Sequence, residues 1–72
     1  MSKLPILKPK EIVNALKRIG FIEVRQRGSH LQLKKGNLLV TVPLHTKDLN
    51  QETLKSILRQ AKISIDELIE FL

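Results

Sequence analysis

Gly28-Ser29-His30-Leu31-Gln32-Leu33-Lys34-Lys35-Gly36-Asn37-Leu38-Leu39-Val40-Thr41-Val42-Pro43-Leu44-His45 is the stretch that decides the fold. From His30 to Lys35 apolar and polar residues alternate, the two-residue period of a half-buried strand. Leu31 and Leu33 point to one side, and His30, Gln32 and Lys34 to the other. Gly36-Asn37 is a two-residue hairpin signal. Leu38 to Leu44 then alternates again, with Leu38, Val40, Val42 and Leu44 on one face. Pro43 has no N–H to give to a ladder, so it marks an edge strand or a strand's exit. With the turn at Gly36-Asn37, Leu31 lies opposite Val42 and His30 opposite Pro43.

Toward the N-terminus, Phe21 to Gln26 carries the same period, with Ile22 and Val24 on one side and Glu23 and Arg25 on the other. A turn at Arg27-Gly28 sets Val24 against Leu31 and Arg25 against His30. Both hairpins then gather their aliphatics on one face, an agreement that a one-residue slip would break. The spacing predicts a three-stranded antiparallel meander with one apolar face.

Helical spacing flanks the meander. Pro9 suits the first helical position, where its missing N–H costs nothing. Ile12, Val13, Leu16 and Ile19 form a stripe that ends at Gly20, which predicts a helix from Pro9 to Ile19. Asn50 is an N-cap for a helix through Gln60 or Ala61, with Leu54, Ile57, Leu58 and Ala61 as its apolar side. Ser64-Ile65-Asp66-Glu67 is a capping box that opens a last short helix. The expected architecture is α+β, in the order α-β-β-β-α-α, with the long helices covering the aliphatic face of the sheet. Seventy-two residues make a single domain, 1–72, with residues 1–8 as an N-terminal extension that carries no readable motif.

Composition narrows the chemistry. The chain has no Cys, Trp or Tyr, and no Cys/His cluster with metal-ligand spacing. No metal and no small-molecule cofactor is expected. The proline-cut N-terminus lacks the apolar core of a signal peptide, and no apolar run approaches the roughly 20 residues of a membrane span. A cytoplasmic chain without membrane contact is expected. Thirteen Lys/Arg against seven Asp/Glu give a net charge of +6. Through Lys47 there are ten basic residues and two acidic ones; from Asp48 onward there are three basic and five acidic. Basic excess concentrated on one segment is the electrostatic footprint of a polyanion binder.

Histidine gives and takes protons near neutrality, and an imidazole held among lysines and arginines suits work on a phosphodiester. RNA offers a route that needs no metal. A base removes the proton of the ribose 2′-OH, the oxygen attacks the adjacent phosphate, and an acid protonates the leaving 5′-oxygen. His30 is the first candidate, with Arg25, Arg27, Lys34 and Lys35 as cations for the phosphate backbone and His45 as a second acid or base. The plainer readings are an exposed strand histidine for His30, a turn residue for His45, and a solvated face for the four cations. Ser29 is a nucleophile on paper, but no Asp/His pair is expected beside it.

Several segments together resemble one family. They are the helix ending in Gly20-Phe21, then Arg25 to His30, then Val40 to His45, and then Leu49-Asn50 with Thr53 to Ala61. In this order and spacing they resemble the HicA (YcfA-like) toxins of type II toxin–antitoxin modules, over nearly the whole chain from Pro9. The resemblance implies a double-stranded-RNA-binding-domain-like fold and an mRNA interferase, an endoribonuclease that inhibits translation. It implies a catalytic histidine in the Gly-Ser-His segment, here His30, and a HicB-type antitoxin as partner beside the mRNA substrate. One departure is Lys62, where the family often has Gly after the second helix. Two other readings stand beside this one. The first is a non-catalytic double-stranded-RNA-binding module of the same fold. The second is an interaction protein whose basic face docks an acidic partner.

Overall fold

In a computed structural model, which describes residues 4–45 and 47–72, the elements run α1 (Pro9–Ile19), β1 (Ile22–Arg27), β2 (His30–Lys35), β3 (Leu38–Pro43), α2 (Gln51–Ala61) and α3 (Ile65–Glu70). The strands form one antiparallel sheet in the order β1-β2-β3. The α+β class and the α-β-β-β-α-α order stand as the sequence suggests.

The core follows from the stripes. Ile12, Val13, Ala15 and Leu16 of α1 and Leu54, Ile57, Leu58 and Ala61 of α2 are buried with Leu31, Leu33, Val40 and Val42 of the sheet. Phe21, Leu49 and Leu68 of α3 join them. Asn50 accepts the Thr53 N–H at 2.7 Å, and Ser64 accepts the Glu67 N–H at 3.1 Å, so both expected N-caps form. Helix α2 ends on Lys62 in the left-handed region (φ 55°), with its N–H reaching the carbonyl of Arg59. Arg18 Nη1 donates to the Phe71 carbonyl at 2.8 Å and ties α1 to the end of α3.

The second hairpin has the expected register, His30 opposite Pro43 and Leu31 opposite Val42. Strand β3 is an edge, and α2 covers it: the Thr41 N–H donates to Gln60 Oε1 at 2.9 Å.

The first hairpin corrects the sequence reading. Its turn is Gly28-Ser29, so Arg27 faces His30, Gln26 faces Leu31 and Arg25 faces Gln32. The cause lies in the glycines. Gly28 (φ 56°) and Gly36 (φ 58°) each take the first central position of a two-residue turn, the position that needs positive φ in a type II′ hairpin. A turn at Arg27-Gly28 would put arginine there. A bulge at Val24 adds a second change, because on its far side Ile22 faces Lys34 and Glu23 faces Leu33. The extra residue reverses the alternation, so Ile22 joins the outward face and Glu23 turns to the helix side, where it pairs with Lys17 of α1. Ile22 and Val24, expected in the core, are 64% and 48% exposed, and every residue of β1 is exposed.

Residues 4–8, without a motif in the sequence, have a packing role. Leu7 is buried in the core, and its carbonyl accepts the Leu49 N–H at 2.8 Å. That bond holds the segment before α1 against the segment before α2.

Candidate active site

The turn and the sheet register decide what surrounds His30. As the first residue of β2 it lies between Arg27 of β1 and Pro43 of β3, on the sheet face opposite the helices. The next row on that face is Arg25, Gln32 and Thr41, and the one beyond is Ile22, Lys34 and Leu39. At about 3.3 Å per residue, Lys34 stands roughly 13 Å along the strand from His30. Lys35 points elsewhere: its Nζ donates to the Ile19 carbonyl at 3.2 Å, at the C-terminal end of α1. Arg25, Arg27, His30 and Lys34 therefore share one surface, and Lys35 is engaged away from it.

His45 lies two residues past the end of β3 and is brought back to the site. The ladder continues one step beyond Pro43, where the Leu44 N–H donates to the Ser29 carbonyl at 2.6 Å. The side chains repeat this link, with Ser29 Oγ and His45 Nδ1 at 3.2 Å. The imidazoles of His30 and His45 then stand with ring centroids 5.6 Å apart and planes tilted by 55°. Both histidines are exposed and open to a ligand.

The geometry assigns work to particular atoms. A serine hydroxyl both donates and accepts, so it serves either tautomer of His45. In either case Nδ1 is occupied and Nε2 is the nitrogen left to face a substrate. Two imidazoles at this separation, with the Arg27 guanidinium in the same row as His30, have the parts for proton transfer on both sides of one phosphate. Among the described residues, no group of three or more His, Cys, Asp or Glu side chains is placed to hold a metal ion. No helix among the described residues is long and apolar enough to cross a membrane.

The Ser29–His45 contact adds to the sequence reading, which expects no Asp/His pair beside Ser29: a histidine stands there, held by the hydroxyl. The signal for it was present in the second hairpin. The register that sets His30 against Pro43 sets Ser29 against Leu44 one step later, which leaves His45 beside the turn.

Comparison with known families gives one match. The model of a family described as the HicA toxin of bacterial toxin–antitoxin systems matches residues 9–63, well over half of the chain, including the helix before the sheet, both histidines and all of α2. No curated protein matches the chain.

Proposed function

We infer that this chain, which belongs to the HicA toxin family of bacterial toxin–antitoxin systems, acts as a toxin by cutting mRNA through acid–base chemistry at His30 and His45. The observation that carries this reading is the pairing of the two imidazoles, 5.6 Å apart, beside Arg27. One imidazole takes the proton of a ribose 2′-OH as that oxygen attacks the neighbouring phosphate. The other protonates the 5′-oxygen as it leaves, and the two hand the protons back when water opens the cyclic phosphate. Arg27 stabilises the charge that builds on the phosphoryl oxygens. Arg25 and Lys34 hold the strand further along the sheet, and Ser29 keeps His45 in position.

The toxin's partner is a HicB-type antitoxin. The surface around His30 is cationic and open, so an inhibitor that covers it carries carboxylates toward Arg25 and Arg27. The test is cleavage of a long mRNA by the purified chain, in EDTA, beside His30→Ala and His45→Ala. Each substitution is expected to lower the rate by about 10²–10⁴-fold. The parent's bell-shaped pH profile should collapse to one limb in each variant. Cleavage that survives in His30→Ala removes His30 from the chemistry. Intact RNA with all three proteins, despite binding that weakens with salt, replaces the enzyme by an RNA-binding module of the same fold.

A further inference from the structure

A groove of about 320 Å³ lies outside the sheet face, bounded by Lys8, Pro9, Lys10, Leu44 and Lys47. Its walls come from two segments distant in sequence, one with Lys8, Pro9 and Lys10 and one with Leu44 and Lys47, and the fold explains why they meet. The Leu49 N–H to Leu7 carbonyl bond sets the chain before α1 against the chain after β3, so Lys8 and Lys47 stand on one rim. Pro9 opens α1 and Leu44 leaves β3, and these two supply an apolar floor.

The three ammonium groups are exposed. No carboxylate among the described residues is in ion-pair contact with them, since the ion pair formed there is Lys17 with Glu23. The acid on α1, Glu11, is turned back on the helix start, where its Oε1 accepts the Lys8 backbone N–H at 2.9 Å. Holding three cations around one apolar depression has an electrostatic cost that an anionic occupant removes. Leu44 links this groove to the histidines. Its N–H is fixed to Ser29, and the next residue is His45.

We propose that this groove binds one nucleotide of single-stranded RNA next to the scissile phosphate. Its ribose and base lie on Pro9 and Leu44, and the phosphates on either side of it are held by Lys8, Lys10 and Lys47. The proposal rests on the ribonuclease reading above and extends the substrate track from the sheet face, past His45, to the start of α1. A depression of this size is at the small end of ligand sites, which run from about 300 to 1,000 Å³. An apolar floor under a cationic rim matches the two halves of a nucleotide better than it matches a bare anion.

The test uses the full chain with His30→Ala in every protein, so that RNA survives the titration. Binding of a fluorescent single-stranded oligoribonucleotide is followed from 50 to 200 mM salt for three proteins. These are the background, a groove variant (Lys8→Gln, Lys10→Gln, Lys47→Gln), and a control with equal charge loss on and after α2 (Lys55→Gln, Arg59→Gln, Lys62→Gln). Two phosphate contacts on a single strand contribute about 1.4 to the log–log salt slope. The groove variant should therefore lose about sevenfold less affinity than the background over this range, while the control keeps the background slope. In chains that retain His30, the groove variant should raise KM and leave kcat in place. Equal slopes in the groove variant and the background overturn the groove as an RNA site and leave its lysines to an acidic protein surface. Equal losses in the groove variant and the control also overturn it, because the effect is then overall charge. A background that binds no RNA at all, when the His30 chain cuts none either, removes the ribonuclease reading and the groove together.

Discussion

Replacing Ser29 with alanine removes one hydroxyl and leaves the turn that carries it. The residue that needs positive φ is Gly28, and the bond from the Leu44 N–H is to the Ser29 carbonyl, which alanine retains. What disappears is the 3.2 Å contact with His45 Nδ1. A neutral hydrogen bond of this kind contributes about 0.5–1.5 kcal/mol net. If its work is to hold His45 in the reactive orientation, that energy appears as the fraction of oriented imidazole. The rate then falls by about two- to twelvefold, at about 1.4 kcal/mol for each factor of ten. The assay is single-turnover cleavage with the protein in excess over an end-labelled RNA, which isolates the chemical step from release. KM should stay within about a factor of two, because Ser29 makes no contact assigned to the substrate. A loss of 10³-fold or more would refute this reasoning, since no orienting bond of that length accounts for about 4 kcal/mol. Ser29 would then belong to the chemistry itself, as a nucleophile activated by His45. An unchanged rate would refute it from the other side and leave the contact without a role.

Other expectations follow from the same geometry. Arg27 shares the row of His30 and Arg25 stands one row away, so Arg27→Gln should lower kcat by about tenfold or more, whereas Arg25→Gln mainly raises KM; equal effects on kcat would remove Arg27 from the charge-stabilising role. Lys62 holds a left-handed conformation that costs an L-residue roughly 1–2 kcal/mol, and glycine returns about 0.5–1 kcal/mol of that as unfolded-state entropy. Lys62→Gly should therefore stabilise the chain by about 0.5–1 kcal/mol and raise Tm by about 2–8 °C, as read by thermal unfolding. Leu33 is fully buried in the middle of the central strand, and Leu33→Ala should cost about 2–5 kcal/mol, shown by a lower denaturation midpoint at an unchanged m-value.

The helices were legible because each carries both a stripe and punctuation: Pro9 and Gly20 bound one, Asn50 caps the next and Ser64 the last. The second hairpin was legible because Leu31, Leu33, Val40 and Val42 have a face to fill, and a slip would expose all four. Strand β1 had no such constraint. None of its side chains is buried, so periodicity could not fix its register, and the deciding information was the φ demanded of Gly28. The bulge at Val24 turns Glu23 to the helix side, where it meets Lys17, a tertiary arrangement with no local signature. His30 as a candidate was visible from its place at the head of a strand. Its cross-strand arginine is Arg27 and not Arg25, because the turn falls at Gly28-Ser29 and shifts the pairing by two residues. The groove at Lys8, Lys10 and Lys47 was not visible, because the approach of Leu7 to Leu49 that brings those lysines together is a tertiary contact.

The bareness of β1 has a thermodynamic consequence for the site. A strand that buries no side chain is held by its ladder with β2 and by the Lys17–Glu23 pair, so it detaches at a free energy below that of global unfolding. The bulge and the arginines at its free edge discourage another strand from adding there. Helices α1 and α2 and strands β2 and β3 keep the core, along with His30 and the Leu44–Ser29 bond that positions His45. His30 thus belongs to a strand that carries core residues, while Arg27 belongs to one that buries none. Opening of β1 would carry Arg27 away from His30 while β2 stays paired with β3, so under the ribonuclease mechanism proposed above the charge stabilisation would be a separable, locally reversible element of the fold.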